Sequence, residues 1–296
     1  MSFRELLHKG CVLLDGGMGT MLCEKGLKAG ELTESWNMTH PEDVKNVHKA
    51  YFDAGSNTVT TNTFGLMSGN YDARETEEIV RAAMDTARRA AEESAEAQLA
   101  AGKTPQPRWI SLNIGPTGKL LAPLGNLTFA DAKAGFARLA ALGEKYGADY
   151  LYIETMNDFT ETRAAAEAAK ENSGLPIAVS NTYTRHGRLL NGETPEEVLD
   201  MLEGCGVDIV GLNCSLGPKQ MLPLLERYLQ KTTQPVLFKP NAGLPEYRPG
   251  GIAVYNVGPA EFAEDVKKAA ALGARLIGGC CGTNPEYIKA ITAYCL

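Results

Sequence analysis

Three cysteines have the residue type and the spacing of a metal site. Cys280 and Cys281 are adjacent, with glycines before and after them, and Cys214 lies earlier in the chain at the end of another apolar segment. Neighbouring side chains of a regular strand point to opposite faces, but glycines let the backbone leave strand geometry, so both sulfurs can turn toward one point. Three thiolates would supply three corners of a tetrahedron and leave the fourth open, as in a catalytic zinc site. Soft sulfur ligands favour Zn²⁺ over Mg²⁺ or Ca²⁺.

Other roles for cysteine stay open at the level of sequence. A free cysteine is usually a small, buried apolar side chain, and the adjacent pair could instead work as a redox dithiol, although a disulfide between neighbours is strained. The odd total of seven cysteines argues against a disulfide framework. The four cysteines outside the cluster are expected to be buried free thiols; they are Cys11, Cys23, Cys205 and Cys295. The histidines show no pairwise ligand spacing; they are His8, His40, His48 and His186.

Two carboxylates and a glycine turn have the chemistry of an amino-acid site. Asp15 ends the first apolar segment, and the backbone N–H groups of Gly16 and Gly17 can form an anion-binding concavity. Glu154 ends a later apolar segment, so the two carboxylates could bind an ammonium while the amides bind a carboxylate. Thr61 could add a hydroxyl donor, although the β-propensity of threonine explains it equally well. Alternatively, either carboxylate pairs with a Lys or Arg inside the fold, and the glycines form only a tight turn.

Short apolar, β-branched segments recur along the chain, each followed by a turn and a stretch with helical periodicity. The predicted strands are Cys11–Asp15, Thr58–Thr63, Trp109–Ile114, Tyr150–Thr155, Ile177–Thr182, Asp208–Cys214, Val236–Pro240 and Leu276–Cys280. The predicted helices are Pro41–Ala54, Glu75–Ala97, Ala130–Tyr146, Asp158–Asn172, Pro195–Gly204, Pro218–Lys231, Pro259–Leu272 and Pro285–Ala293. The pattern indicates eight strand–helix units.

Strands that alternate with helices imply right-handed βαβ units and a parallel sheet. Eight units favour an α/β fold of the (β/α)8 or TIM-barrel type over the competing open, doubly wound sheet. The strands also begin apolar and end in small or polar residues, which is typical of barrels, because their active sites form at the carboxyl ends of the strands. The candidate cysteines and carboxylates lie at such ends. No linker divides the chain, so we expect one domain over residues 1–296.

The charge and the first residues exclude some classes of function. A formal net charge of -7 gives no basic surface for phosphate contacts, so nucleic acid is a poor partner. The apolar run before Asp15 is too short for a signal peptide or a membrane span. We therefore expect a cytoplasmic protein that does not bind a membrane.

Several segments together resemble the homocysteine-binding methyltransferase family. The chain is most similar to the branch formed by the N-terminal homocysteine module of cobalamin-dependent methionine synthase. The combination of one cysteine after an asparagine with a later Cys-Cys-Gly is specific, whereas the glycine turn alone is weak. The matching segments are DGGMGT (15–20), ESWN (34–37), TNTF (61–64), GLNC (211–214), PNAGLP (240–245) and GGCCGT (278–283).

The resemblance implies a (β/α)8 barrel in which Cys214, Cys280 and Cys281 hold Zn²⁺ and the sulfur of homocysteine is the fourth ligand. Asn241 is similar to a position of the methionine synthase branch, where an oxygen ligand occupies zinc until substrate displaces it. Zinc coordination deprotonates a thiol, and the thiolate is the nucleophile. The implied activity is methyl transfer to homocysteine, which gives methionine.

The resemblance also implies roles for the amino-acid site. Asp15 and Glu154 would hold the substrate ammonium, while the amides of Gly16 and Gly17 and the hydroxyl of Thr61 would hold its carboxylate. A general base on the protein is then not essential, since the protein supplies orientation and excludes water.

The methyl donor stays open. We expect a corrinoid such as methylcobalamin, carried by a separate module or protein, with S-methylmethionine or another sulfonium as the close alternative. The betaine branch has a tyrosine after Thr-Phe, whereas Gly65 follows Phe64 here, so betaine is a less favoured donor. A zinc-stabilised barrel that binds a ligand without turnover is an alternative of another class.

Overall fold

A computed structural model of the chain describes residues 3–7, 10–28, 30–68, 71–247 and 253–294. The strands in chain order are β1 (Val12–Leu13), β2 (Thr58–Thr60), β3 (Trp109–Ile114), β4 (Tyr150–Met156), β5 (Ile177–Asn181), β6 (Ile209–Asn213), β7 (Val236–Lys239), β8 (Glu246–Tyr247), β9 (Ala253–Val254) and β10 (Leu276–Ile277). Strands β8 and β9 pair as an antiparallel hairpin. The other eight form one parallel sheet in the order β1-β10-β7-β6-β5-β4-β3-β2.

The sheet curls into a nearly closed barrel, and Asn57 joins its two ends. The backbone N–H of Asn57 donates to the carbonyl of Leu13 on β1 at 2.7 Å. In return, the N–H of Leu13 donates to Asn57 Oδ1 at 2.9 Å. Because the asparagine stands directly before β2, its side chain takes the place of a missing strand partner. The predicted (β/α)8 barrel is therefore confirmed, and the open, doubly wound alternative is wrong.

Helices surround the barrel. They are α1 (Phe3–Leu7), α2 (Met18–Glu24), α3 (Trp36–Thr39), α4 (Pro41–Ala54), α5 (Ala73–Ala100), α6 (Phe129–Lys145), α7 (Phe159–Asn172), α8 (Pro195–Cys205), α9 (Pro218–Lys231), α10 (Pro259–Leu272) and α11 (Pro285–Ile291). Proline opens five of them, α4 and α8 to α11, because its fixed φ suits the first helical turn and its missing N–H is not needed there. None of the described helices is both long and apolar enough to cross a membrane.

Two apolar cores hold the barrel. The larger one lies between the strands and the surrounding helices, and the smaller one fills the inside of the barrel. Helix α1 closes the amino end of the inner core, where Phe3 stacks on Tyr150 with 4.2 Å between ring centroids and meets Trp109 edge-on at 6.0 Å. Because this end is packed with aromatic rings, polar chemistry is confined to the carboxyl ends of the strands.

All eight predicted strands and all eight predicted helices exist, with small differences in their bounds. The first and last strands are the shortest: Cys11–Asp15 was predicted where Val12–Leu13 is observed, and Leu276–Cys280 where Leu276–Ile277 is observed. Their polar ends turn out of the sheet into the loops that carry the candidate site. The sequence did not predict the short helices α1 to α3 or the β8–β9 hairpin.

The cysteines outside the cluster differ from their prediction. Cys23 lies exposed on α2, since it faces away from the core side of that helix, so its predicted burial is wrong. Cys205 is half-buried against the outer core. Cys11 is disulfide-bonded, so the prediction of a free thiol there is also wrong. Cys295 and His8 lie outside the described residues.

A buried histidine should make the protein sensitive to acid. His48 on α4 is fully buried, and within the described residues neither ring nitrogen has a hydrogen-bond partner. Burial lowers its pKa from 6.5 to about 4, against the opposing attraction of Asp15. The unfolded chain therefore binds the proton more tightly, and stability is lost as the pH falls from 6.5 to 4. The loss reaches about 3 kcal/mol.

Urea unfolding at pH 7 and pH 4.5 tests this prediction. His48→Leu should lose less stability between the two pH values than the unsubstituted chain does. His186→Gln, at an exposed position, is the control and should behave like the unsubstituted chain. Equal losses in the chain and in His48→Leu would contradict the prediction.

Candidate metal centre and amino-acid pocket

The sulfurs of Cys214, Cys280 and Cys281 come together at the carboxyl end of the barrel. All three lie within 4.8 Å of one another, and they form the one group of three or more His, Cys, Asp or Glu among the described residues that could hold a metal ion. The sulfurs of Cys214 and Cys281 are 3.8 Å apart. Two sulfurs bound to one zinc ion in tetrahedral geometry would also lie about 3.8 Å apart, since each Zn–S bond is about 2.3 Å. The donor set and its spacing therefore fit zinc.

Unusual backbone conformations aim these sulfurs. Cys214 and Ser215 follow β6 with φ of 58° and 57°, in the left-handed region that side chains other than glycine rarely occupy. Gly282 has φ of 79°, and a Cβ atom there would lie 2.3 Å from the ring of Tyr255. Only glycine fits this position, and it lets the chain turn directly after the cysteine pair.

The loop after β7, residues 240–242, ties the cysteine loops together. The N–H of Asn241 donates to the carbonyl of Leu216 at 3.0 Å, and the N–H of Cys280 donates to the carbonyl of Pro240 at 2.8 Å. Asn241 Oδ1 accepts the N–H of Cys281 at 3.1 Å. The asparagine thus positions a cysteine, while its predicted role as an oxygen ligand of zinc stays a prediction.

The thiols favour the protonated form when no cation is present. The hydrogen bond with Cys280 raises the pKa of Cys214, and the hydrogen bond with Cys214 raises the pKa of Cys281 to about 12; burial raises both further. Hydrogen bonds with Cys280 and with the hydroxyl of Tyr255 lower the pKa of Cys281. Sequence reasoning missed Tyr255, because it lies in a loop with no motif. A bound divalent cation would offset the charge of three thiolates.

Glu154 lies beside the cysteine cluster, and a β-bulge sets its direction. The register between β4 and β5 shifts between Ile153 and Met156, and Thr155 has φ of 63°. Such a bulge re-aims the side chains around it. The carboxylate is buried, and its Oε1 and Oε2 accept the amides of Asn113 at 2.8 Å and Asn213 at 3.4 Å. Burial raises the pKa of Glu154, while the nearby charge of Lys239 opposes this.

Asp15 forms a buried ion pair inside the barrel. Its Oδ1 lies 2.8 Å from Nζ of Lys239, and its Oδ2 accepts the N–H of Thr60 at 2.7 Å. Burial would lower the pKa of Lys239, but the charges of Asp15 and Glu154 outweigh it and raise that pKa, so the lysine stays charged. Pairing with a lysine was one of the two alternatives for this carboxylate, and the sequence did not single out Lys239.

Two of the three groups predicted to bind the substrate carboxylate, the N–H of Gly17 and the hydroxyl of Thr61, already have hydrogen-bond partners. The N–H of Gly17 donates to Thr283 Oγ1 at 3.2 Å, and a Cβ atom on Gly16 would lie 2.7 Å from the same oxygen. Thr61 Oγ1 accepts the N–H of Asn113 at 3.0 Å and lies 2.8 Å from Thr63 Oγ1.

Thr63 donates its one proton to the carbonyl of Asn113 at 2.7 Å. The proton of Thr61 must therefore go to Thr63. The structure brings Gly16, Gly17 and Thr61 to the site, and their predicted roles stay predictions.

Comparisons with known proteins agree on one family. The sequence profile of the family described as homocysteine S-methyltransferase matches residues 12–295. The methionine synthases of Mycobacterium tuberculosis and Mycobacterium leprae are 33% and 32% identical to the chain over 306 residues, which cover 98% of it. The chain spans about a quarter of their length, 25% and 24%.

A solved structure supports the fold. The metallated form of the homocysteine methyltransferase MmuM from Escherichia coli superposes with a TM-score of 0.80 at 24% identity. The match covers 98% of each chain. At this identity the likeness shows the barrel fold alone.

Proposed function

The chain belongs to the homocysteine S-methyltransferase family, and on this premise we propose that it activates the thiol of homocysteine for methylation to methionine on a zinc ion. Cys214, Cys280 and Cys281 would hold the ion. The observation that carries the proposal is the spacing of their sulfurs at the open end of the barrel. Zinc, when bound there, would lower the pKa of the substrate thiol so that it is a thiolate at neutral pH.

The residues of the chain would do the remaining work. Three cysteine ligands leave one coordination position for substrate, which Asn241 would occupy before substrate binds. Glu154 would bind the ammonium of the amino acid, because its buried carboxylate faces the same end of the barrel as the sulfurs. Binding both ends of homocysteine would orient its sulfur toward the methyl donor and exclude water.

A corrinoid on a separate module or protein is the donor that we propose. The similar mycobacterial proteins are methionine synthases about four times as long as the matched region. Large apolar side chains are also exposed in the loops that follow the barrel strands, where a donor must approach. Among the described residues these loops, together with the short helix α3, hold seven of the nine such side chains: Leu32, Met38, Phe64, Leu120, Leu124, Leu190 and Leu244. A sulfonium donor such as S-methylmethionine is the second candidate, because the thiol-activating half would be the same.

A donor panel tests the reaction. Zinc-loaded protein should form methionine from homocysteine with methylcobalamin or S-methylmethionine, and less with betaine. Cys214→Ser is the negative control. No methionine from any of the three donors would argue for the alternative, a zinc-stabilised barrel without turnover.

Zinc content tests the metal site. The purified chain should bind about one zinc ion, and Cys214→Ser should bind far less, because a serine hydroxyl is a poor replacement for a thiolate ligand. Cys205→Ser, at a half-buried position outside the cluster, should keep its zinc. Atomic absorption after dialysis measures both. The proposal would be contradicted by stoichiometric zinc in Cys214→Ser. It would also be contradicted if the unsubstituted chain had a reducible disulfide and no zinc.

Glu154→Gln tests the ammonium site. Loss of a charge-assisted hydrogen bond should weaken homocysteine binding by about tenfold to a hundredfold, while zinc content stays unchanged. Calorimetry on zinc-loaded protein measures the affinity. Glu161→Gln is a matched control, since Glu161 is likewise a buried carboxylate and bonds to Thr117 outside the candidate site. Unchanged affinity in Glu154→Gln would remove this residue from the site.

A further inference from the structure

We propose that Glu154 and Asn113, and not Asp15, accept hydrogen bonds from the α-ammonium group of the substrate. Asp15 does not do so because it already forms an ion pair with Lys239. The inference rests on the proposed function, since it takes homocysteine as the ligand of the barrel mouth. It assigns a binding role to Asn113 and a positioning role to Lys239.

Asp15 has little capacity left for a substrate ammonium. Its Oδ1 accepts from Lys239 Nζ at 2.8 Å and from Thr60 Oγ1 at 3.3 Å, and its Oδ2 accepts from the N–H of Thr60 at 2.7 Å. The side chains of Asp15 and Lys239 are each 4% exposed. A buried ion pair of this kind is broken only at a high cost, because either charge would be left without a partner.

Asn113 presents a buried acceptor, its Oδ1, for which the described residues provide no donor. Its Nδ2 donates to Glu154 Oε1 at 2.8 Å. Only the NH₂ group of an amide can face a carboxylate, so this bond fixes which way the amide is turned. Oδ1 is then left buried, and within the described residues it has no hydrogen-bond partner. A buried acceptor without a donor costs about 1–3 kcal/mol, which a ligand with a suitable N–H would recover.

The location of Asn113 separates it from other asparagines with an unpaired oxygen. Its neighbours Leu112 and Ile114 pack in the core between the barrel and the helices, so Asn113 faces the inside of the barrel. Asn181 also has a buried Oδ1 without a partner, but its amide nitrogen bonds to Thr162 on α7, on the outer side. Of the three asparagines in the described residues whose Oδ1 is buried without a partner, Asn113 alone donates its amide nitrogen to a carboxylate of the candidate site.

The balance of charge among Asp15, Glu154 and Lys239 also favours one ammonium group. Lys239 acts electrostatically on both carboxylates, so it cancels one of their two negative charges. The remaining negative charge matches one ammonium group. An ammonium has three N–H donors, so it can donate one hydrogen bond to a carboxylate oxygen of Glu154 and another to the amide oxygen of Asn113.

A comparison of the affinities of two ligands for the zinc-loaded chain isolates the contribution of the ammonium group to binding. L-homocysteine and its desamino analogue, 4-sulfanylbutanoate, share the thiol and the carboxylate, so the ratio of their dissociation constants reports the ammonium contact. Asn113→Leu should lower the preference for homocysteine by about tenfold or more. The double variant Asp15→Asn/Lys239→Met removes both partners of the ion pair, so no unpaired charge is left buried. It should keep the preference within about threefold.

Zinc content and the unfolding midpoint of each variant show that it is folded. A collapse of the preference in the double variant would make Asp15 the acceptor and overturn the inference, as would an unchanged preference in Asn113→Leu. If the unsubstituted chain shows no preference for homocysteine, the proposed function itself fails. The two failures are therefore distinguishable.

Discussion

Three cysteine sulfurs within 4.8 Å of one another repel each other as soon as they are thiolates, and much of the carboxyl end of the barrel follows from this constraint. The hydrogen bond with Cys280 and burial raise the pKa of Cys214, and the hydrogen bond with Cys214 and burial raise the pKa of Cys281, against a smaller opposing effect of the other hydrogen bond of each within the cluster. The cluster therefore holds its protons until a cation replaces them. A cation can do so only if the sulfurs are already at bonding distance from a common point. The backbone hydrogen bonds through residues 240–242 hold the two cysteine loops in that arrangement.

The conformational free energy that this arrangement costs is confined to residues near the site, and packing in the rest of the barrel offsets it. Thr155, Cys214 and Ser215 are the residues other than glycine that have positive φ in the described part of the chain, and each costs about 1–3 kcal/mol. All three adjoin Glu154 or a candidate zinc ligand. At the opposite end, Phe3, Trp109 and Tyr150 form an aromatic layer in which the hydroxyl of Tyr150 has a hydrogen-bond partner in Thr58 at 3.1 Å. The barrel thus separates the residues that stabilise it from those that do chemistry.

Sequence reasoning succeeded where the signal is local. Apolar runs followed by helical periodicity were enough to find every barrel strand, and the glycines around Cys280 and Cys281 indicated that both sulfurs could point one way. Reasoning failed where the decisive partner is far along the chain. The two residues of the ion pair, Asp15 and Lys239, are 224 positions apart in the sequence, and no sequence pattern around either residue predicts the pairing. The proton of Thr61 goes to Thr63, a direction that depends on the neighbouring strand.

Lys239 links the two halves of the candidate site. Its charge acts on Asp15 and Glu154 and also on Cys280, so it reduces the negative potential of the amino-acid pocket and of the sulfur cluster together. A buried ammonium is stable only with such partners, and the partners in turn depend on it: without Lys239, two buried carboxylates would face the cysteine cluster with no positive charge between them. Under the proposed function, one lysine would therefore couple metal binding to substrate recognition, and a change at Lys239 alone would alter both the amino-acid pocket and the sulfur cluster.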